Sequence, residues 1–363
     1  MKELVVYITN NSADISIDHN VLRVHTLDDK PTSIPLGMIG QIVIYANINL
    51  ATKVMAELIQ RDISVVFFSG FGRNRMPVYL SSGLSSSVMV RLTQHQAFAD
   101  SSIKLKTSKW LITGKLNNQI ALINNIDMLI SEESPQQLIN DQLDDMDIKM
   151  FFQKALQTIQ SALDSIQSCD TIDSILAYEG VSASAWFSLL SKILPEYWKF
   201  TGRNRRPPKD PINAIMSLTY TLTLNELKTI IQERGLDPCI GFLHAPLAGR
   251  DSFVLDMLEL LRPGADAFLI QLLHDNMIKP DDFTLNQQYG CRLNKEGRGK
   301  YFVNWANWQT SWPEWQIPIA KSNDNELFID EDSNSLRTCC RKICADIVNL
   351  WHSKLDIEDN TSG

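Results

Sequence analysis

Ser81-Ser82-Gly83-Leu84-Ser85-Ser86-Ser87 divides the chain into two kinds of pattern. The run is small and polar, the composition of a flexible linker. Before it, short segments rich in β-branched residues read as strands: Leu4–Thr9, Ile15–Asp18, Val21–Thr26, Gln41–Tyr45, Ser64–Phe68 and Val78–Leu80. His19-Asn20 has the form of a tight hairpin turn. One amphipathic helix, Leu50–Arg61, interrupts the strands with Val54, Leu58 and Ile59 on one side. After the linker, apolar residues recur at helical spacing almost to the end. Val88–Ala99, Ile103–Ile130, Lys149–Ser168, Thr171–Leu194 and Pro211–Arg234 all read as helices, and the acidic stretch 131–147 as a loop or a solvated helix. The expected fold is α+β: a small N-terminal β-rich domain at 1–80, a linker at 81–87, and a larger all-α C-terminal domain at 88–363.

At 363 residues the chain is long enough for two domains and a sizeable core. Its 44% apolar and 21% charged residues are those of an ordinary globular protein. No apolar run approaches the ~20 residues needed to cross a bilayer, so no membrane role is expected. Met1-Lys2-Glu3-Leu4-Val5-Val6-Tyr7 carries an acid and turns at once into a strand, unlike a signal peptide. The six cysteines form no CxxC pair, and Cys339, Cys340 and Cys344 fall in a helical pattern where Cys acts as a small apolar residue. A zinc site is not expected, and a reducing cytoplasm is the simplest compartment.

The net charge of −8 argues against coating nucleic acid by bulk attraction, but the charge is segregated. Residues 101–126 hold four lysines and no acid, and Arg203, Arg205, Arg206 and Lys209 fall within seven residues. Residues 132–147 hold six acids and no base, and 324–332 five acids. Such a division fits a basic surface facing phosphates, and equally solvated faces of mixed sign.

Three places carry candidate chemistry. In Gly241–Pro263, His244 ends a short apolar run ahead of a Pro/Gly loop. Asp251 or Ser252 is expected to cap the helix that follows, and Pro263 to stop it. Asp256 and Glu259, three apart, share the face opposite Phe253, Met257, Leu258 and Leu261. A histidine and two carboxylates near one point suit a divalent metal or acid/base work, or are simply a solvated face. On the helix Thr171–Leu194, Glu179 falls in the apolar stripe, where a carboxylate is costly unless a cation, a metal or a donor network offsets it. Gly180 beside it costs roughly 1 kcal/mol in a helix and leaves room for another backbone or a ligand. The proline-stiffened loop Arg203–Pro211 bears guanidinium forks suited to phosphate oxygens, with Asp210 and Pro211 placed to start the next helix. Trp305, Trp308, Trp312 and Trp315 fit a helical core better than a base-stacking platform.

With these residues laid out, the chain resembles the CRISPR-associated integrase/endonuclease family that captures new spacers, the "Cas one" family. Three motifs carry the resemblance in the family's order. They are Tyr178-Glu179-Gly180-x-x-Ala183-x-x-Trp186-Phe187, Arg203-Asn204-Arg205-Arg206-Pro207-Pro208-x-Asp210-Pro211-x-Asn213-Ala214, and Gly241–Pro263 with its Leu255-Asp256-Met257-Leu258-Glu259-x-x-Arg262-Pro263. The resemblance implies a β domain linked to a helical domain, with Glu179, His244 and Glu259 as metal ligands and Asp256 as a supporting acid. It implies integration of short DNA fragments at a CRISPR repeat by 3′-hydroxyl transesterification, and a related cleavage by water. It further implies a homodimer, two of which flank a dimer of a small second adaptation protein on double-stranded DNA. Carboxylates suit Mg²⁺ or Mn²⁺, and an imidazole ligand tilts the preference to Mn²⁺. Arg203, Arg205, Arg206 and Arg250 are the candidate phosphate contacts by charge and proximity. The competing readings are a mobile-element integrase or branched-DNA repair nuclease outside CRISPR, and an inactive DNA-holding subunit, which would need a lost ligand.

Overall fold

A computed structural model describes residues 4–27, 30–69, 76–80, 87–132, 138–204, 207–286, 288, 290–314 and 334–355. The N-terminal part begins with strand β1 (Leu4–Ile8), then β2 (Asp14–Asp18), β3 (Val21–His25) and β4 (Thr32–Pro35). Next come β5 (Ile39–Ile44), helix α1 (Thr52–Gln60), β6 (Ser64–Ser69) and β7 (Met76–Leu80). β2, β3 and β4 form an antiparallel sheet. His19 and Asn20 turn its first hairpin with φ of 47° and 66°, as their sequence suggested. The other sheet has the order β1-β5-β6-β7, with β1, β5 and β6 parallel and β7 antiparallel at the edge. All six residues of β5 are buried, as a strand covered on both faces requires.

The period of two in these strands sends alternate side chains to different cores. Val6, Ile8, Ile42, Ile44 and Val65 pack with Ile15, Leu22, Val54 and Leu58 of the N-terminal part. Val5, Val43, Val66 and Phe68 pack with the helices. The Tyr7 hydroxyl donates to Gln309 (3.0 Å) and accepts from Trp305 (2.7 Å), so polar contacts reinforce that second face. Ser81–Ser86 lie outside the described residues.

The C-terminal part is helical: α2 (Val88–Ala99), α3 (Ser101–Glu132), α4 (Asp145–Ile166), α5 (Ile172–Ile193), α6 (Pro211–Glu233), α7 (Ser252–His274), α8 (Lys295–Trp308) and α9 (Leu336–Leu355). It also carries a short hairpin of β8 (Phe283–Asn286) and β9 (Gly290–Leu293), too short to stand out against the helical pattern around it. Asp144 caps α4 and Thr171 caps α5. Asp210 caps α6 with Pro211 in its first turn, as the sequence indicated.

Two expectations about α7 are corrected. Pro263 does not stop it; the helix runs eleven residues further, to His274. A proline inside a helix costs about 3 kcal/mol. Here α7 lies between α3 and α6 and is buried almost all round, and that burial offsets the cost. Nor do the candidate caps close its N-terminus. Asp251 makes no capping bond, because its carboxylate takes Lys228 at 2.7 Å, and Ser252 donates to the Ala245 carbonyl.

Trp305 and Trp312 are buried around Phe268 and Tyr301, with Trp308 partly buried, so they pack the core; Trp315 lies outside the described residues. Cys339, Cys340 and Cys344 are buried and free, and burial pushes the Cys339 thiol up to about 12. Asp346, also on α9, is pushed up to about 6 by burial, and its Oδ2 has no hydrogen-bond partner among the described residues. Its folded-state affinity for the proton exceeds its unfolded one, so stability is lost as pH rises from about 4 through 6. Asp346→Asn is therefore expected to stabilise the protein by about 1 kcal/mol at pH 7.5, discounted for partial exposure, with little gain at pH 4. Thermal melts at the two pH values check this.

Candidate active site

Three helices meet where the candidate residues lie. α3 and α7 pack tightly at Gly114, where a Cβ would sit 2.5 Å from Leu260 Cδ2. Asn118 Nδ2, one turn along α3, donates to the Leu260 carbonyl at 3.2 Å and fixes the pair. Lys115, next to Gly114, is thereby directed at Glu259 of α7. Its ammonium donates to Glu259 Oε2 (2.6 Å) and to Glu179 Oε1 of α5. Glu179 and Glu259 thus converge on one cation. Arg262, three residues beyond Glu259, adds a second, its Nε 2.9 Å from Oε2 but not aligned as a hydrogen bond. Burial pushes the Glu259 carboxyl up, but Arg262 and Lys115 outweigh it and bring it down to about 2.

His244 is placed by Asp256 from one turn before Glu259. The Asp256 carboxylate is fully buried. Its Oδ2 accepts the backbone N–H groups of Phe242 (2.5 Å) and Leu243 (2.9 Å), and its Oδ1 that of His244 (2.9 Å). Oδ1 also meets His244 Nδ1 at 2.7 Å. Asp256 therefore holds a loop and an imidazole rather than sharing an open helix face with Glu259; all of this part of α7 is buried. Side-chain exposure rises from 4% at Lys115 and 7% at Glu259 to 23% at Glu179 and 30% at His244, so the cluster opens to solvent on the side of the last two.

The donor set consists of two carboxylates gathered round one positive charge, with an imidazole beside them whose field also lowers the Glu259 carboxyl. Oxygen donors with one nitrogen suit Mg²⁺ or Mn²⁺. Among the described residues no group of three His, Cys, Asp or Glu side chains is drawn together tightly enough to hold an ion, since Lys115 stands between the two carboxylates. In the sequence Lys115 is one of four lysines in the acid-free stretch 101–126 and no more. The signal that would have found it is its place between Ile112 and Leu116, both fully buried: a charge on an apolar stripe, like Glu179. Gly180 has no protein atom within 4 Å of where its Cβ would be, so no other part of the described chain needs its small size.

The basic loop is only partly what its charges suggested. Arg203 turns inward, donating to Asn213 Oδ1 (2.8 Å) and Ser217 Oγ (3.2 Å) and lying 5.5 Å from the Tyr220 ring centroid. It braces the loop on α6, because a buried asparagine and a half-buried hydroxyl offer it acceptors that solvent would otherwise supply. Arg205 and Arg206 lie outside the described residues. Arg250 is half-buried, its Nε on Ser252 Oγ at 3.2 Å near the His244 loop. The hairpin pins the far end of the basic loop: Cys291 N–H donates to the Pro208 carbonyl at 2.8 Å. Gly290 (φ 76°) fits there only without a Cβ, which would lie 2.3 Å from Pro208 O. Gly290→Ala is expected to cost about 2 kcal/mol or more through strain and displacement. Thermal melting of the variant checks this.

Residues 6–307 match the family described as "CRISPR associated protein Cas1". The chain is 31% identical over 305 residues to a CRISPR-associated endonuclease Cas1 of Thermodesulfovibrio yellowstonii, covering 84% of this chain and 90% of that one. It is 29% identical over 304 residues to a CRISPR-associated endonuclease Cas1 of Methanospirillum hungatei, covering 83% and 78%. Among solved structures, a casposase bound to its integration product superposes with a TM-score of 0.72 at 21% identity, covering 95% of this chain and 90% of that one. A Cas1 protein from Thermotoga maritima gives 0.71 at 18%, covering 96% and 97%. A Cas6-RT-Cas1–Cas2 complex gives 0.71 at 20%, covering 97% of this chain and 35% of that one. At these identities the structures speak for the fold: a β-rich N-terminal part followed by a helical C-terminal part. On the family match and the sequence relatives together, the chain belongs to the CRISPR-associated Cas1 family.

Proposed function

We propose that this protein is a divalent-metal-dependent DNA nuclease and integrase of CRISPR adaptation, inserting short DNA fragments as new spacers. The observation that carries the reading is the convergence of Glu179 and Glu259 on one cation, beside an imidazole fixed by a buried aspartate, in a chain of the Cas1 family. Glu179, His244 and Glu259 would hold Mg²⁺ or Mn²⁺, and Asp256 would orient His244, as outer carboxylates orient ligating histidines. The ion, when bound, offsets charge on the phosphoryl oxygens and positions nucleophile and leaving group.

The reaction is in-line exchange at phosphorus. The 3′-hydroxyl of the incoming fragment forms a new phosphodiester as the repeat's own phosphodiester breaks, so no nucleotide energy source is required; water in place of the hydroxyl gives cleavage. The chain's part is to bind and orient. Arg205, Arg206 and Arg250 are the candidate phosphate contacts, which position the duplex without reading its sequence. Arg203 contributes by bracing the loop that carries Arg205 and Arg206. The partners proposed are a second copy of this chain, double-stranded DNA, and a small protein corresponding to the Cas2 in the Cas6-RT-Cas1–Cas2 complex. No helix among the described residues is long and apolar enough to cross a membrane.

The test combines the protein, the small partner, a short duplex with free 3′ ends, Mn²⁺ and a plasmid bearing the native repeat. Joined products at the repeat boundary that vanish with chelator and with Glu179→Gln are expected. Joining that survives both would overturn the metal reading; joining with no preference for the repeat would favour a mobile-element integrase.

A further inference from the structure

Lys115 has no place in the ligand set just proposed, yet it bridges two of its three members, Glu179 and Glu259. We infer that Lys115 is a resident counter-cation of the metal site, and that loading a divalent ion is an exchange in which its ammonium leaves the Glu179–Glu259 pair. The inference rests on the metal reading above. Four charged groups lie together: Glu179, Glu259, Lys115 and Arg262. Two acids and two bases leave the cluster neutral. That neutrality makes the burial of Glu259 and Lys115 tolerable, since an isolated buried charge is prohibitively costly. A divalent ion added between the same carboxylates with Lys115 still in place would set three cationic groups around two anions in a largely buried volume. Repulsion at such distances, poorly screened by solvent, opposes that arrangement. The lysine stem has four rotatable bonds and a point charge on its end, so it can withdraw without moving the helix. Arg262, in contrast, is held against the Tyr220 ring, its guanidinium 4.7 Å from the ring centroid, and stays.

The exchange has two consequences. Before loading, Lys115 keeps two like-charged carboxylates facing one another, so the site is assembled without an ion. On loading, an ammonium is released toward the side where Glu179 and His244 open to solvent, the side from which a phosphodiester must approach. Binding of the ion and presentation of a positive charge to that approach are thereby coupled.

The experiment measures Mn²⁺ binding to the full chain by the electron-spin-resonance signal of the free ion, for wild type, Lys115→Met and Lys115→Arg. Lys115→Met keeps the stem and removes the competing charge. It is expected to bind Mn²⁺ about tenfold more tightly than wild type, and Lys115→Arg no more tightly. Mn²⁺ bound by Lys115→Met with the wild-type constant, or more weakly, overturns the exchange and leaves the metal reading standing. No Mn²⁺ bound by any of the three overturns both. A second measurement covers a variant that does not fold. In the wild-type protein, acylation of Lys115 by an amine-reactive ester, followed by mass spectrometry, is expected to rise several-fold on saturation with Mn²⁺. Labelling that stays constant overturns the exchange.

Discussion

Replacing His244 with alanine is expected to lower DNA cleavage and joining by about 10²–10³-fold while leaving the fold intact. The asymmetry follows from how the residue is held. The imidazole contributes one bond to Asp256, whereas the backbone N–H at position 244 contributes another and is unaffected by the change. Asp256 therefore keeps three donors in the variant: the N–H groups at 242, 243 and 244. The side chain is 30% exposed, so its removal leaves a solvated notch rather than an empty cavity. The melting temperature should stay within about 2 °C of wild type. DNA affinity and its dependence on salt should also persist if, as proposed, the phosphate contacts come from Arg205, Arg206 and Arg250. A variant that joins DNA at the wild-type rate would remove His244 from the site.

The second expected result concerns the neighbouring residue and reverses the pattern. Asp256→Asn should cost about 3 kcal/mol or more and lower the melting temperature by roughly 6–12 °C, with activity lost as a consequence. Asparagine has nearly the shape of aspartate but only one acceptor oxygen. Whichever way its amide turns, its NH₂ group faces N–H donors that a carboxylate oxygen accepted: Phe242 and Leu243 on one side, His244 on the other. The site is fully buried, so water does not replace the lost acceptor. Circular dichroism melts of the two variants side by side check the contrast. Equal melting temperatures for His244→Ala and Asp256→Asn would mean that the loop is held by something other than the carboxylate.

These two residues also mark how far the sequence could be read. Helical and strand periodicity placed every helix from α2 to α6 within a few residues, because each buries a stripe whose spacing is written in the side chains. β4, with only Ile34 partly buried, gave no such pattern. Glu179 stood out because a carboxylate on an apolar stripe conflicts with its surroundings. Asp256 was legible as an acid near the site but not as the keystone of the 242–244 loop, since its partners are backbone N–H groups, which every residue carries and no composition reveals. The same limit explains Pro263. Local preference at a proline is a stop, and only the burial of α7 against α3 and α6 shows why the helix continues. Arg203 was read as a surface fork because loop arginines meet solvent by default. Its inward turn depends on Asn213 and Ser217, one to two turns into the following helix.

The contacts of Tyr7 bear on how the chain reaches this state. Its hydroxyl joins the first strand to residues 298 and 302 positions later. During synthesis β1, β5 and β6 leave the ribosome long before α8 exists. Val5, Val43 and Val66 then have no helical core to cover them. Closing so long a loop is slow, and an incompletely covered parallel sheet is prone to stick to its neighbours meanwhile. A nascent chain halted short of Trp305 is thus a half-covered sheet awaiting its other side, and a chaperone that shields the β1-β5-β6 face would have its work concentrated in that interval.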